Sequence, residues 1–282
     1  MKKILSLSLF VALAIGFVGC KKNSPNASGK NSLGANTTTS TPVVPVVVTL
    51  PVGDVPQTFT KKTILEEFTG EWCGYCPDGA SIMESIGVSH PDKFYGVAVH
   101  QGDFMENASF FSFMDTYYGG ISSFPSGSVA RGTVESRGSW AGLVSSELAK
   151  PAELGLSLVC KESNDNLNIS VYVGHNKAIS GSTKLTIYIL ENGIDQVSQS
   201  NGGPGYIHQH VFRKVVTANV GDDININDTK KHLLKEYKNI DIAGLYKKKA
   251  NLKVLAFVNV EGSGKTVMNA QESGLNETKK WD

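Results

Sequence analysis

Two cysteines three positions apart, in Trp72-Cys73-Gly74-Tyr75-Cys76-Pro77, carry the most distinctive chemistry of this chain. Thiols at that spacing close a small disulfide ring when the first lies at a helix N-terminus. There the unpaired N–H groups and the helix dipole favour a thiolate. In that arrangement Cys73 is the nucleophile, and Cys76, one turn along, resolves a mixed disulfide. A close pair of this kind is catalytic, a metal clip or a structural staple. Zinc needs two more ligands, and the chain has no second C-x-x-C and no H-x-x-x-H. Redox chemistry is the expectation, with no metal and no cofactor.

The elements around the pair are those that would position it. Thr63 to Phe68 alternates and reads as a strand, and Pro77 suits the first turn of a helix whose apolar face is Ile82, Met83 and Ile86. Phe94 to Val99 has the length of a buried parallel strand. Ala108 to Tyr118 reads as a helix, Gly127 to Arg131 as a short strand, and Trp140 to Ala149 as a further helix. A β-α-β-α-β order with the reactive pair at its first βα junction predicts an α/β domain over residues 58–150.

The N-terminus reads as an export signal over residues 1–19. Lys2-Lys3 is the basic region, Ile4 to Val18 the apolar run, and Gly19-Cys20 a small residue before a cysteine. Phe17-Val18-Gly19-Cys20 resembles a bacterial lipobox, in which Cys20 would be acylated and become the mature N-terminus. Lys21 after that cysteine leans toward the outer membrane. Residues 20–57 read as a tether, rich in Ser, Thr, Asn, Gly and Pro up to Thr41, with a Pro/Val stretch from Thr41 to Val52 suited to an edge strand. The formal net charge of +1 gives no sign of a nucleic-acid partner or a polybasic membrane surface.

The residues Glu71-Trp72-Cys73-Gly74-Tyr75-Cys76 resemble the W-C-x-x-C active site of the thioredoxin superfamily. That resemblance implies a cis-proline at Pro125 facing the disulfide, with Trp72 shaping the docking surface. It also implies a buried acid at Glu67 that takes the proton of Cys76; Glu66 should point to the opposite face of its strand. Tyr75, inside the motif, should be exposed. His100, at the end of the second parallel strand, is a candidate to stabilise the Cys73 thiolate or to satisfy a loop backbone, and Asp103 is a weaker candidate. A longer resemblance covers roughly residues 60–220. Leu65 to Gly79, Val99-His100-Gln101-Gly102-Asp103, Phe124-Pro125-Ser126-Gly127 and His210-Val211-Phe212-Arg213-Lys214 are similar to the Omp28-like outer membrane lipoproteins. It implies a lipid-anchored outer-membrane protein with a thioredoxin-like domain and an appended β domain.

Residues 151–282 change to strand patterns and predict an all-β, sandwich-like C-terminal domain. Leu154, Leu156, Leu158 and Cys160 share one inward face, so Cys160 reads as a buried thiol. Further strands are expected at Asn168 to Val173, Lys184 to Leu190, Val211 to Thr217 and Leu252 to Val260, with one helix near Thr229 to Tyr237. Gly262-Ser263-Gly264-Lys265-Thr266 has the tail of a phosphate loop, but Asn259 stands where its first glycine is needed, so it reads as a hairpin turn. His208 and His210 read as a surface pair, and Gly202-Gly203-Pro204-Gly205 as a flexible loop able to reach the active site.

The chain therefore reads as a membrane-tethered thiol–disulfide oxidoreductase acting on exported protein thiols and disulfides. Its β domain would orient the site or recruit an outer-membrane or periplasmic partner. The rival expectation is a non-catalytic binding or assembly lipoprotein whose cysteines form a structural disulfide.

Overall fold

A strand inside a sheet covered on both sides is buried on both faces, and the segment before the cysteines is such a strand although Thr63, Glu66, Glu67 and Thr69 stand beside its apolar residues. In the computed structural model, which describes residues 50–195, 198–226, 232–262 and 264–281, β1 (Thr63–Thr69) is buried along its whole length. It leads through the cysteine loop into α1 (Cys76–Ser89). There follow β2 (Phe94–His100), α2 (Ala108–Tyr118), β3 (Ser126–Val129), β4 (Val134–Ser136) and α3 (Trp140–Leu148). β1 pairs in parallel with β2 and antiparallel with β3. α2 starts at Asn107, whose side chain accepts the Phe110 amide, and stops at Gly119, which takes the left-handed conformation.

The rest of the chain is strands: β5 (Leu154–Ser163), β6 (Asn166–His175), β7 (Ser182–Glu191), β8 (Val211–Val215), β9 (Asp222–Asp223), β10 (His232–Asp241), β11 (Leu252–Glu261), β12 (Thr266–Gly274) and β13 (Thr278–Lys279). Among the described residues these form a nine-stranded sheet ordered β12-β11-β7-β8-β2-β1-β3-β4, with β9 beside β7, and a four-stranded sheet ordered β10-β6-β5-β13. Strands from residues 58–150 and from 151–282 thus share the larger sheet. β8 joins them, parallel to β2 at Ala98–Val211 and antiparallel to β7.

Alternation along β7 and β11 explains why both are fully covered. Tyr188, Leu190, Leu255 and Phe257 enter the core shared with β1, β2 and the helices, where Phe110 of α2 stacks on Phe212 of β8. Ile187, Ile189, Val254, Ala256 and Val258 enter a second core against Leu156, Leu158, Ile169 and Val171 of the smaller sheet. Cys160 lies in that second core, and burial pushes its thiol up to about 12.

One expected element is of the other type. The helix anticipated near Thr229 to Tyr237 is strand β10 from His232 onward, paired antiparallel with β6, while 229–231 lie outside the described residues. Leu233, Lys235 and Tyr237 are half-buried while Leu234, Glu236 and Lys238 are exposed, a period of two that marks a half-covered strand. The Pro/Val stretch is described only from residue 50, and 50–52 form a turn closed by the Gly53 amide on the Leu50 carbonyl. The signal segment, Cys20 and the tether up to residue 49 lie outside the described residues. β11 and β12, the strands that flank the expected hairpin turn, pair antiparallel up to Val260 and Thr266, while residue 263 of that turn lies outside the described residues.

Candidate active site

Cys73 and Cys76 are joined by a disulfide at the end of β1. The Cys73 amide donates to the Gly70 carbonyl at 3.0 Å, and the Cys76 amide donates to the Cys73 carbonyl at 3.2 Å. Helix α1 begins at Cys76 with Tyr75 at the N-cap position and no side-chain cap, so Cys73 lies in the preceding turn and Cys76 takes the helix terminus expected of Cys73. Pro77, with no N–H to lose, fits the first turn behind it. Tyr75 is 73 % exposed, with the Arg137 guanidinium 5.9 Å from its ring centre. Trp72 is half exposed; its indole N–H donates to the Gln101 carbonyl at 2.7 Å and its ring meets Phe124 edge-on at 5.2 Å. The Phe124–Pro125 peptide is cis.

Glu67 lies beneath this loop. Its neighbour Glu66 faces the other side of β1, and both are buried, which removes a surface position for either. A Cβ on Gly79 would stand 2.6 Å from Glu67 Oε1 and 2.9 Å from Pro125, so Gly79 is the point where α1, Glu67 and Pro125 close on one another. Gly79 is three residues beyond Cys76, on the same buried face of the helix. Glu67 Oε1 has no hydrogen-bond partner, and desolvation pushes the carboxyl up to about 8. The carboxyl therefore holds a proton under neutral conditions.

Glu67 also lines a partly open pocket of about 200 Å³ with His100, Gln199, Tyr206 and His208. His100 is buried and its Nδ1 is 2.6 Å from Asp103 Oδ2, while its ring lies edge-on to His208 at 5.5 Å. Asp103 also accepts the amides of Glu71 and Met105, each at 2.8 Å. Burial pushes its carboxyl up, but His100 and the two amides outweigh that and hold it below the ordinary carboxylate range. His100 is thus tied to the cysteine loop through Asp103 and Glu71. His208 and His210 do not form a surface pair: His208 is buried in the cavity, and His210 Nε2 lies 3.1 Å from Glu84. Among the described residues no three His, Cys, Asp or Glu side chains gather as metal ligands.

The sequence pattern missed a second contributor. Because Val211 of β8 pairs with Ala98, the chain leading into β8 passes the C-terminal ends of β1 and β2. A two-way bridge between Ile194 and His208 closes the base of that excursion. At its tip, Gln199 Nε2 donates to the carbonyls of Cys73 at 2.9 Å and Gly70 at 3.2 Å. The Ser200 amide donates to Glu71 O at 2.7 Å, and Asn201 Nδ2 to Gly74 O at 3.1 Å. These contacts come from residues 199–201, immediately before the glycine-rich stretch expected to reach the site. Cys73 is left only 4 % exposed and Cys76 is buried.

The chain is similar to known proteins over most of its length. It aligns with the structure of HBP35 of Porphyromonas gingivalis at 24 % identity and a TM-score of 0.68, over 79 % of this chain and 78 % of that one. A protein of Agrobacterium tumefaciens shares the fold more loosely, at 12 % identity and a TM-score of 0.51 over 77 % of this chain and 96 % of that one. No curated protein sequence matches it significantly. A family model described as outer membrane protein Omp28 matches residues 112–279, more than half the chain. With an Omp28-type sequence spanning strands of both sheets, the chain belongs to the Omp28 family of outer-membrane proteins of the cell envelope.

Proposed function

We propose that this outer-membrane protein is a thiol–disulfide oxidoreductase built on a thioredoxin-like arrangement of β1, α1, β2, α2 and β3. The observation that carries the reading is Glu67: a buried carboxyl, raised by desolvation to about 8 and with Oε1 unpartnered, against the helix that begins with Cys76. A structural disulfide needs no such group, and burying it costs stability wherever it ionises. An exchange enzyme needs a proton store beside the resolving thiol.

In the oxidising direction the disulfide is the electron acceptor. A substrate thiolate attacks Cys73 Sγ, the Cys73–Cys76 bond breaks, and its electron pair leaves on Cys76 Sγ. Glu67 gives its proton to that thiolate. A second substrate thiol, deprotonated, attacks the substrate sulfur of the mixed disulfide and releases Cys73 as a thiolate. The substrate leaves with a new disulfide and the protein keeps two electrons. In the reducing direction the steps run backward, and Glu67 takes the Cys76 proton before resolution. The exposed Trp72 and Tyr75 flank the sulfurs and offer contact to exported protein substrates. Acylation of Cys20 would tether the molecule to the membrane, and the β-rich remainder would orient the site or hold an envelope partner.

The burial of Cys73 favours a second reading, a non-catalytic binding lipoprotein with a structural disulfide. The reduction potential of the pair separates the two. Equilibration of the full chain across glutathione buffers, read by alkylation and mass spectrometry, should give a reversible couple between roughly −270 and −120 mV. A disulfide that resists reduction below about −300 mV would establish the structural reading instead.

A further inference from the structure

The tip of the excursion between Ile194 and His208 packs on the disulfide loop, where Cys73 is 4 % exposed. Its four hydrogen bonds occupy the carbonyls of Gly70, Glu71, Cys73 and Gly74. Three come from two side chains, Gln199 and Asn201, and one from the Ser200 backbone. The fit depends on the residue between the cysteines: a Cβ on Gly74 would lie 2.8 Å from Asn201 Nδ2. Asn201 holds a φ of 59°, a left-handed conformation that asparagine tolerates better than most residues and that turns its amide toward Gly74. An extended polypeptide docks on a protein edge through exposed backbone groups of this kind. Here a segment of the chain itself has taken them.

We infer that Gln199, Ser200 and Asn201 form a specificity strap that admits small thiols to the Cys73–Cys76 disulfide and holds off protein thiols until its bonds to residues 70–74 part. The inference rests on the exchange reading above and narrows its substrate class. A small dithiol needs a path only to one sulfur. A protein dithiol must also lay its backbone beside the loop, and the strap fills that place. With either reductant the balance is the same: a dithiol is oxidised to its disulfide, Cys73 and Cys76 gain the two electrons, and one sulfur–sulfur bond is exchanged for another. The strap alters access and leaves the redox step as it is.

The test compares two reductants on the oxidised full chain, dithiothreitol as the small dithiol and reduced thioredoxin as the protein dithiol. Second-order rate constants come from acid quench and alkylation. In Gln199→Ala/Asn201→Gly the thioredoxin rate should rise about tenfold or more, the equivalent of one to three net hydrogen bonds, while the dithiothreitol rate changes less than about threefold. Asn201→Gly alone keeps the left-handed backbone at an exposed position, so it preserves the comparison if loss of the buried Gln199 disturbs folding. It should give a smaller change of the same sign. Equal acceleration of both reductants, or none with thioredoxin, overturns the strap and leaves exchange chemistry standing. If neither reductant opens the disulfide in the parent or the variants, the exchange reading fails and the strap inference fails with it.

Discussion

Glu66 and Glu67 are neighbours on β1, both buried, and they have been put to opposite uses. On one face Glu66 accepts the hydroxyls of Tyr118 and Tyr188, each at 2.8 Å, and lies 3.6 Å from the guanidinium of Arg131. Arg131 in turn donates to Tyr188 Oη at 2.6 Å and approaches Glu261 at 3.8 Å. That network draws on β1, α2, β7 and β11 and ties the two halves of the larger sheet together. On the other face Glu67 has an oxygen without a partner and a cavity beside it. A buried carboxyl whose two oxygens are both bonded holds structure. One left unpaired keeps its proton and becomes available for chemistry.

The sharpest way to break this contrast is on the Glu66 side. Arg131→Met should destabilise the protein by about 3–5 kcal/mol in urea titrations, because it leaves a buried carboxylate without its counter-charge. A loss under about 1 kcal/mol would mean that the tyrosines alone satisfy Glu66.

On the Glu67 side the expected sign reverses and depends on pH. The carboxyl titrates near 8 when folded and near the ordinary 4.5 when unfolded, so the folded state holds the extra proton between those values. Its stability contribution therefore falls as pH rises through that window. Glu67→Gln should be within about 1 kcal/mol of neutral at about pH 5 and stabilise by on the order of 4–5 kcal/mol at about pH 9, read as the difference between two denaturation curves. The same substitution should slow disulfide exchange about a hundredfold and flatten its pH profile near 8, as expected for loss of a general acid–base group. An unchanged rate with the predicted stability shift would make Glu67 a passive buried acid.

Gly79→Ala tests the closeness of α1, Glu67 and Pro125. A Cβ at 2.6 Å from Glu67 Oε1 must displace something, and a loss of about 1–3 kcal/mol is expected in thermal or urea unfolding. The smallest effect belongs to an exposed pair. Lys177→Ala removes an ion pair with Glu153 at 3.0 Å that solvent screens, and should cost less than about 1 kcal/mol.

Local pattern was sufficient for much of the fold. Helix α2 is Ala108–Tyr118 as its spacing requires, and β1, β2, β5, β6, β7 and β11 fall on the apolar runs that predict them. These elements are legible because a side chain's periodicity along a strand or helix repeats over few residues. The segment at 232–237 was not legible, since Leu233, Leu234 and Tyr237 fit a helical stripe as readily as a half-covered strand. Pairing with β6 decided it.

The candidate site divides along the same line. The sequence by itself determined that Cys73, Cys76, Pro77 and the strand carrying Glu67 stand together, because they are contiguous in the chain and a βα junction brings them to one end. Only the tertiary structure decided that β8 would lie beside β2. That single parallel pairing carries Gln199 to Asn201 across more than a hundred residues of chain onto the disulfide loop, and puts His208 in the cavity behind it. The pairing of β3 with β1 brings Arg131 to 3.6 Å from Glu66, while Glu67 Oε1 on the other face has no partner. Long-range pairing is set by the fit of whole faces in a shared core, and no local spacing of residues records it.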